Sequence, residues 1–293
     1  MVISPAPEML DALKNIWMIG FQDDQPSTDF VFENLLSPAQ MLVKTDEQGE
    51  PAAILSIKKL AFTSGELTFA GGYIFGIATL PAHRGKGYAS ALVQAADDLL
   101  RKEGAALACL LPANAGLFDF YAARGYSTRF DCGQLDVTRD QIPAGRKGGV
   151  LSVTALEDLA GERAQAFASS SLFGMWDIGY LRYTGRECHF YGGEVLRFSS
   201  GGKRGYLVCY RRNPGTILVK EAVLGGIEID DALAALHARY GAELYQIRFP
   251  AELCLPDKWP VRNLPFGMVK WYDETLPEKL TGGPPWFAFG LDD

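Results

Sequence analysis

At 293 residues, with 48% hydrophobic and 22% charged side chains, the chain has ordinary globular composition and the length of two domains with sizeable cores. The net charge of -7 is spread over both halves, so a nucleic-acid partner is not expected, and no apolar run reaches the ~18 residues of a membrane span. Five cysteines without a C-x-x-C pair, three histidines without metal spacing and a start lacking a secretory leader predict a cytoplasmic protein with reduced thiols and no metal.

Pro7 to Gly20 reads as a helix with Met9, Leu10, Leu13, Ile16 and Trp17 on one face, and a second helix is expected from Ser27 to Leu36. Three strands follow, at 40–44, 52–61 and 66–80, with Ser64-Gly65 as a hairpin turn. The next helix, 87–103, carries Ala89, Leu92, Val93, Ala96, Leu99 and Leu100 at helical spacing, and Gly104 closes it. A buried strand at 106–111, a helix at 114–124 and a strand at 126–137 complete a β-β-β-α-β-α-β order, which implies a crossover between parallel strands. Residues 140–149 read as a linker. Beyond it the pattern predicts a helix at 156–167, a hairpin around Asn213-Pro214-Gly215, a helix capped by Asp230 and stopped by Gly241, and a strand at 242–249. The end is rich in Pro, Gly and Trp. In outline the second half repeats the first. The expected domains are 1–138 and 150–293.

The stretch from Gly76 to Ala91, G-I-A-T-L-P-A-H-R-G-K-G-Y-A-S-A, carries the chemistry. A strand enters a turn with Arg84, Gly85, Lys86 and Gly87, and the turn opens a helix. Glycines let the backbone approach an anion, the helix start offers unpaired N–H groups, and two cations stand beside them. Such a turn suits a pyrophosphate, but its spacing is neither that of a nucleotide P-loop nor G-x-G-x-x-G. Read alone, it is also an ordinary glycine turn with surface charges.

In context the stretch resembles the GNAT acetyltransferase family, whose signature [QR]-x-x-G-x-[GA] is filled by Arg84, Gly87 and Ala89. A second family signature is matched by Asn114, Tyr121, Gly125 and Tyr126. The resemblance spans residues 1–137. It implies an α/β GNAT fold followed by a degenerate GNAT-like lobe. It also implies acetyl-CoA as acyl donor, direct transfer to a primary amine, and no metal. It assigns Ile77, Ala78 and Thr79 to the pantetheine arm and Gly85, Lys86, Gly87, Tyr88, Ala89 and Ser90 to the pyrophosphate. Tyr121 would be the general acid, against a core aromatic as the plain alternative, and Asn114 would bind cofactor or only cap its helix. The strand carries no carboxylate where many members place a base.

A narrower resemblance is to the enhanced-intracellular-survival acetyltransferases, in which the chain's own terminal carboxylate enters the site. It implies Asp293 as catalytic carboxylate and Asp23 as acceptor contact, against a frayed tail and a solvated loop. In the second lobe Glu228, Asp230 and Asp231 would repel a pyrophosphate, so that lobe is expected to shape the acceptor pocket; its aromatic-rich stretch with Trp176, Tyr180, Tyr183, Phe190 and Tyr191 could line that pocket, against plain core packing as the alternative. The acceptor is expected to be a small polyamine or aminoglycoside-like molecule. A protein amine, or a non-catalytic acyl-CoA sensor, is the alternative. The aromatic tail could serve as an intramolecular strap or as an interface in a homo-oligomer; the sequence leaves both open.

Overall fold

The computed structural model describes residues 1–143, 149–253 and 255–290. Asp293, Cys254 and the middle of the 140–149 linker lie outside them.

In chain order the elements are β1 (Val2–Ile3), α1 (Leu10–Phe21), α2 (Gln25–Asn34), β2 (Met41–Thr45), β3 (Pro51–Ser64), β4 (Leu67–Thr79), α3 (Tyr88–Lys102), β5 (Leu107–Leu110), α4 (Ala115–Ala122) and β6 (Ser127–Thr138). The second half continues with β7 (Val150–Val153), α5 (Ala160–Ala166), β8 (Phe173–Met175), α6 (Ile178–Phe190), β9 (Glu194–Ser200), β10 (Lys203–Asn213), β11 (Thr216–Val223), α7 (Ile229–Tyr240), β12 (Leu244–Pro250) and β13 (Arg262–Trp271). The first-half expectations match these elements to within a few residues. In the second half α6, a helix with Asp177 as N-cap, lay in a stretch read only as aromatic-rich. Asp230 is inside the first turn of α7, and Glu228 holds the N-cap position.

Each half builds the same plan. β2, β3 and β4 run antiparallel, α3 crosses over, and β5 pairs parallel with β4. β9, β10 and β11 run antiparallel, α7 crosses over, and β12 pairs parallel with β11. The last strands then cross between the halves. β6 pairs with β12, while β13 inserts between β5 and β6. One mixed sheet results, in the order β1-β2-β3-β4-β5-β13-β6-β12-β11-β10-β9-β7, with β8 added to β3.

Three cores cover this sheet. α3 and α4 pack on one face of the first lobe, around Leu92, Val93, Ala96 and Leu100, and Met268 of β13 joins them. α7 packs on the second lobe around Leu233 and Leu236, and Leu135 and Val137 of β6 join that core. Both lobes share the third, which holds Trp17, Phe62, Tyr73, Tyr180 and Tyr206. The C-terminal aromatics Trp286, Phe287 and Phe289 run through it.

Polar groups fix the exchanged strand and the tail. Asp97 of α3, 1% exposed, accepts from Tyr126 Oη at 2.7 Å, Tyr272 Oη at 2.7 Å and Lys270 Nζ at 2.6 Å. Lys270 belongs to β13 and Tyr272 follows it. In the shared core, Glu221 of β11 accepts from Arg163 Nε at 3.0 Å, Tyr206 Oη at 2.7 Å and Trp286 Nε1 at 2.7 Å. Both members of the Arg163–Glu221 pair are buried, where charge survives only with partners of this kind.

Candidate active site

β4 and β5 are paired only from Gly71 to Tyr73 on β4. β4 continues to Thr79 and diverges from β5, which ends at Leu110. A bulge near the divergence adds one residue to β4: Ile54 faces Ala78 and Ser56 faces Phe75. Gly76 lies in that bulge with φ +61°, a left-handed conformation that glycine adopts without strain. The backbone beyond Tyr73 therefore has an open edge.

That edge leads into the Arg84–Gly87 turn. Gly85 and Gly87 have φ of +75° and +78°, and a Cβ on either would meet no atom within 4 Å. These glycines border open space, as an anion cradle requires. Gly87 is the residue before α3, and no side chain caps that helix end. The Arg84 Nε–H donates to Thr79 O at 3.1 Å, tying turn to strand. Ser90, in the first turn of α3, accepts from Arg124 at the end of α4. The Arg124 guanidinium also lies 3.5 Å from the Phe120 ring centroid. Tyr88 stacks on His83 at 5.5 Å, with Lys44 Nζ 4.6 Å from its ring. Lys86 and Asn114 are exposed, and the Asn114 side chain makes no cap hydrogen bond to α4.

Tyr121 is 6% exposed in the α3–α4 core, edge-on to Phe120 and Tyr126 at 5.0 and 6.0 Å. Burial pushes its phenol up to about 12, against a smaller opposing effect from Arg124. It therefore keeps its proton across the physiological range. Cys109, buried in β5, has a thiol pushed well up by burial, which removes it as a nucleophile.

On the other side of the bulge lies a cavity of about 400 Å³ between the lobes. Trp17, Asp23, Gly76 and Ala113 line it from the first lobe, and Glu187, Tyr191, Tyr210 and Lys220 from the second. Half-buried Asp23 accepts from Trp17 Nε1 at 2.9 Å, and burial raises its pKa. Glu187 accepts from Tyr183 Oη at 2.6 Å and Tyr210 Oη at 2.7 Å. Trp176 and Tyr180 are core side chains instead, bonded to the tail carbonyls of Ala288 and Phe289. The tail itself reaches the divergence: a Cβ on Gly290 would stand 2.8 Å from Tyr73 Oη and against Leu111.

Of the residues singled out in the sequence, Tyr121 lies in the α3–α4 core and Asn114 is exposed before α4, outside the edge and the cavity that gather the others within the described residues. Ile77 to Ser90 form one continuous edge and turn, and Asp23 faces the cavity across the bulge. Trp17, Arg124 and Glu187 were not singled out as site residues. Trp17 reads as one more apolar position of its helix, and nothing near Arg124 or Glu187 in the sequence marks their partners. No group of three or more His, Cys, Asp or Glu that could hold a metal occurs among the described residues, nor any helix long and apolar enough to cross a membrane.

Residues 2–129 match the family described as acetyltransferase (GNAT) domain. The N-terminal lobe is a GNAT acetyltransferase domain. The chain accordingly carries an acyltransferase domain, of a family whose donor is acetyl-CoA. No curated protein sequence matches it. Solved structures extend the likeness in fold to the whole chain. A conserved protein from Enterococcus faecalis V583, described as a probable N-acyltransferase, is 18% identical with a TM-score of 0.73, covering 94% of this chain and 73% of its own. A GCN5-related N-acetyltransferase from Anabaena variabilis is 15% identical with a TM-score of 0.72, covering 92% and 72%. Eis1 from Mycobacterium abscessus is 14% identical with a TM-score of 0.63, covering 93% and 74%. The two-lobed fold of the chain resembles that of the Eis protein.

Proposed function

We propose that the protein transfers the acetyl group of acetyl-CoA directly to a primary amine of a small polyamine or aminoglycoside-like acceptor enclosed between the lobes. The observation that carries the reading is the end of β4. Thr79 leads into the open glycine turn, and Gly76 of the same strand lines the inter-lobe cavity. The pyrophosphate sits on Gly85–Ser90 with Arg84 and Lys86 beside it. The pantetheine arm adds to the free edge at Ile77–Thr79, and Asn114 flanks it. An N–H of the bulge polarises the thioester carbonyl.

The amine nitrogen attacks that carbon, the C–S bond breaks, and Tyr121 gives its proton to the departing thiolate. Asp23 contacts the acceptor. The base is read as the Asp293 carboxylate, a role that rests on the resemblance and is supported by the approach of Gly290 to Tyr73. A cavity walled by both lobes favours a small acceptor over a protein surface.

The test is thiol release from acetyl-CoA with polyamines, aminoglycosides and lysine peptides, using wild type and Tyr121→Phe. Release with one acceptor class, lost in the variant, is expected. Tight acetyl-CoA binding without release for any amine would favour a sensor instead.

A further inference from the structure

The end of β4 is closed on its acceptor side by one helix. α1 lies flush on the strand at two points. A Cβ on Gly76 would stand 2.5 Å from the Trp17 ring, and a Cβ on Gly20 would stand 2.5 Å from that of Ala78. The Trp17 ring is 4% exposed, yet it lines the inter-lobe cavity. It cannot swing aside cheaply. Phe21 packs on it at 4.6 Å, and Phe32 meets it edge-on at 5.9 Å. Its Nε1–H is held by Asp23 at 2.9 Å. Behind the bulge stands fully buried Ser56, so the strand cannot retreat either.

We infer that Trp17 is the wall that fixes the length of the transferred acyl group, with Asp23 as the residue that positions it. This rests on the reading of the β4 bulge as the acyl site. An acyl carbonyl that reaches the bulge meets the indole directly beyond it. A methyl group fits beside the ring, whereas each added methylene must displace a side chain fixed at three points. Because Asp23 also faces the cavity, one carboxylate serves both substrates: it orients the wall for the donor and presents charge to the acceptor.

The experiment compares kcat/KM for acetyl-, propionyl- and butyryl-CoA with one amine acceptor in wild type, Trp17→Phe and Trp17→Leu. The ratio between donors within one protein is unaffected by the fraction of active enzyme, so partial loss of folding does not blur it. Wild type is expected to lose on the order of 10-fold or more per added methylene. Both variants should raise the butyryl-to-acetyl ratio by about 10-fold or more, Trp17→Leu further than Trp17→Phe. Equal use of butyryl- and acetyl-CoA by wild type, or an unchanged ratio in both variants, would overturn the inference. Failure of the underlying reading looks different: acetyl-CoA itself would then give no thiol with any amine.

Discussion

β4 and β11 occupy the same place in the two lobes, and both run through a bulge into a glycine turn before a crossover helix. In the first lobe the turn glycines border open space and alternate with Arg84 and Lys86. In the second, a Cβ on Gly225 would collide with the Arg204 carbonyl, and α7 opens on Glu228, Asp230 and Asp231. Asp230 is consumed by structure, accepting from Trp259 Nε1 and Lys258 Nζ at 2.6 Å each. Identical backbone plans thus put glycine to opposite uses, room for a ligand in one lobe and close packing in the other. The carboxylates differ likewise. The end of β4 has none, while Glu221 on β11 is buried at the centre of a hydrogen-bonded group that anchors the tail.

The comparison can be broken by changing matched positions. The largest effect is expected from Glu221→Ala, which leaves Arg163 buried without its ion partner. The loss should be about 3–5 kcal/mol of stability, read by denaturant unfolding, with the tail released as a consequence. Tyr121→Phe should spare stability but lower kcat by roughly 10²–10⁴-fold, read by thiol release. The pH dependence has a definite sign. A phenol pushed up to about 12 keeps its proton in the folded state while the unfolded chain loses it near 10. Stability therefore falls as pH rises from about 10 to 12, and Tyr121→Phe should flatten that fall.

Smaller changes sharpen the contrast between the turns. Lys86→Glu should weaken acetyl-CoA binding by roughly 10-fold at low salt, and less at high salt, as expected of an exposed charge at a phosphate site. Glu228→Lys in the second lobe should leave that binding unchanged, both variants being read by calorimetric titration with acetyl-CoA. The smallest effect on stability belongs to Ser56→Ala. The Ser56 hydroxyl is buried and unpartnered among the described residues, so its removal should be neutral or stabilising by about 1 kcal/mol in thermal unfolding.

Much of the first lobe was legible because its signals are local. The apolar spacing from Ala89 to Leu100 and the Arg84–Ala89 turn need no distant partner to be read. What escaped the sequence is long-range. β13 reads as an aromatic tail segment, and only the pairing of Met268 with Leu110 and of Asn263 with Gly133 reveals where it belongs. Arg124 and Trp17 meet the turn and the β4 bulge through Ser90 and Gly76, which periodicity cannot connect to them. The role of Asp230 is hidden from the sequence for the same reason: its partner Trp259 lies beyond α7, outside the window in which a cap is recognised.

The exchange of β6 and β13 also sets an order of assembly. Until β13 arrives, the first lobe has an unfilled gap between β5 and β6, and Asp97 lacks two of its three donors. During synthesis the donor-binding half must wait for the entire second lobe to emerge. Pairing across so long a stretch of chain is slow, and it leaves strand edges exposed to association with other chains meanwhile. The same crossing makes separation of the lobes by gene fission costly, because each half would carry away a strand from the other's core.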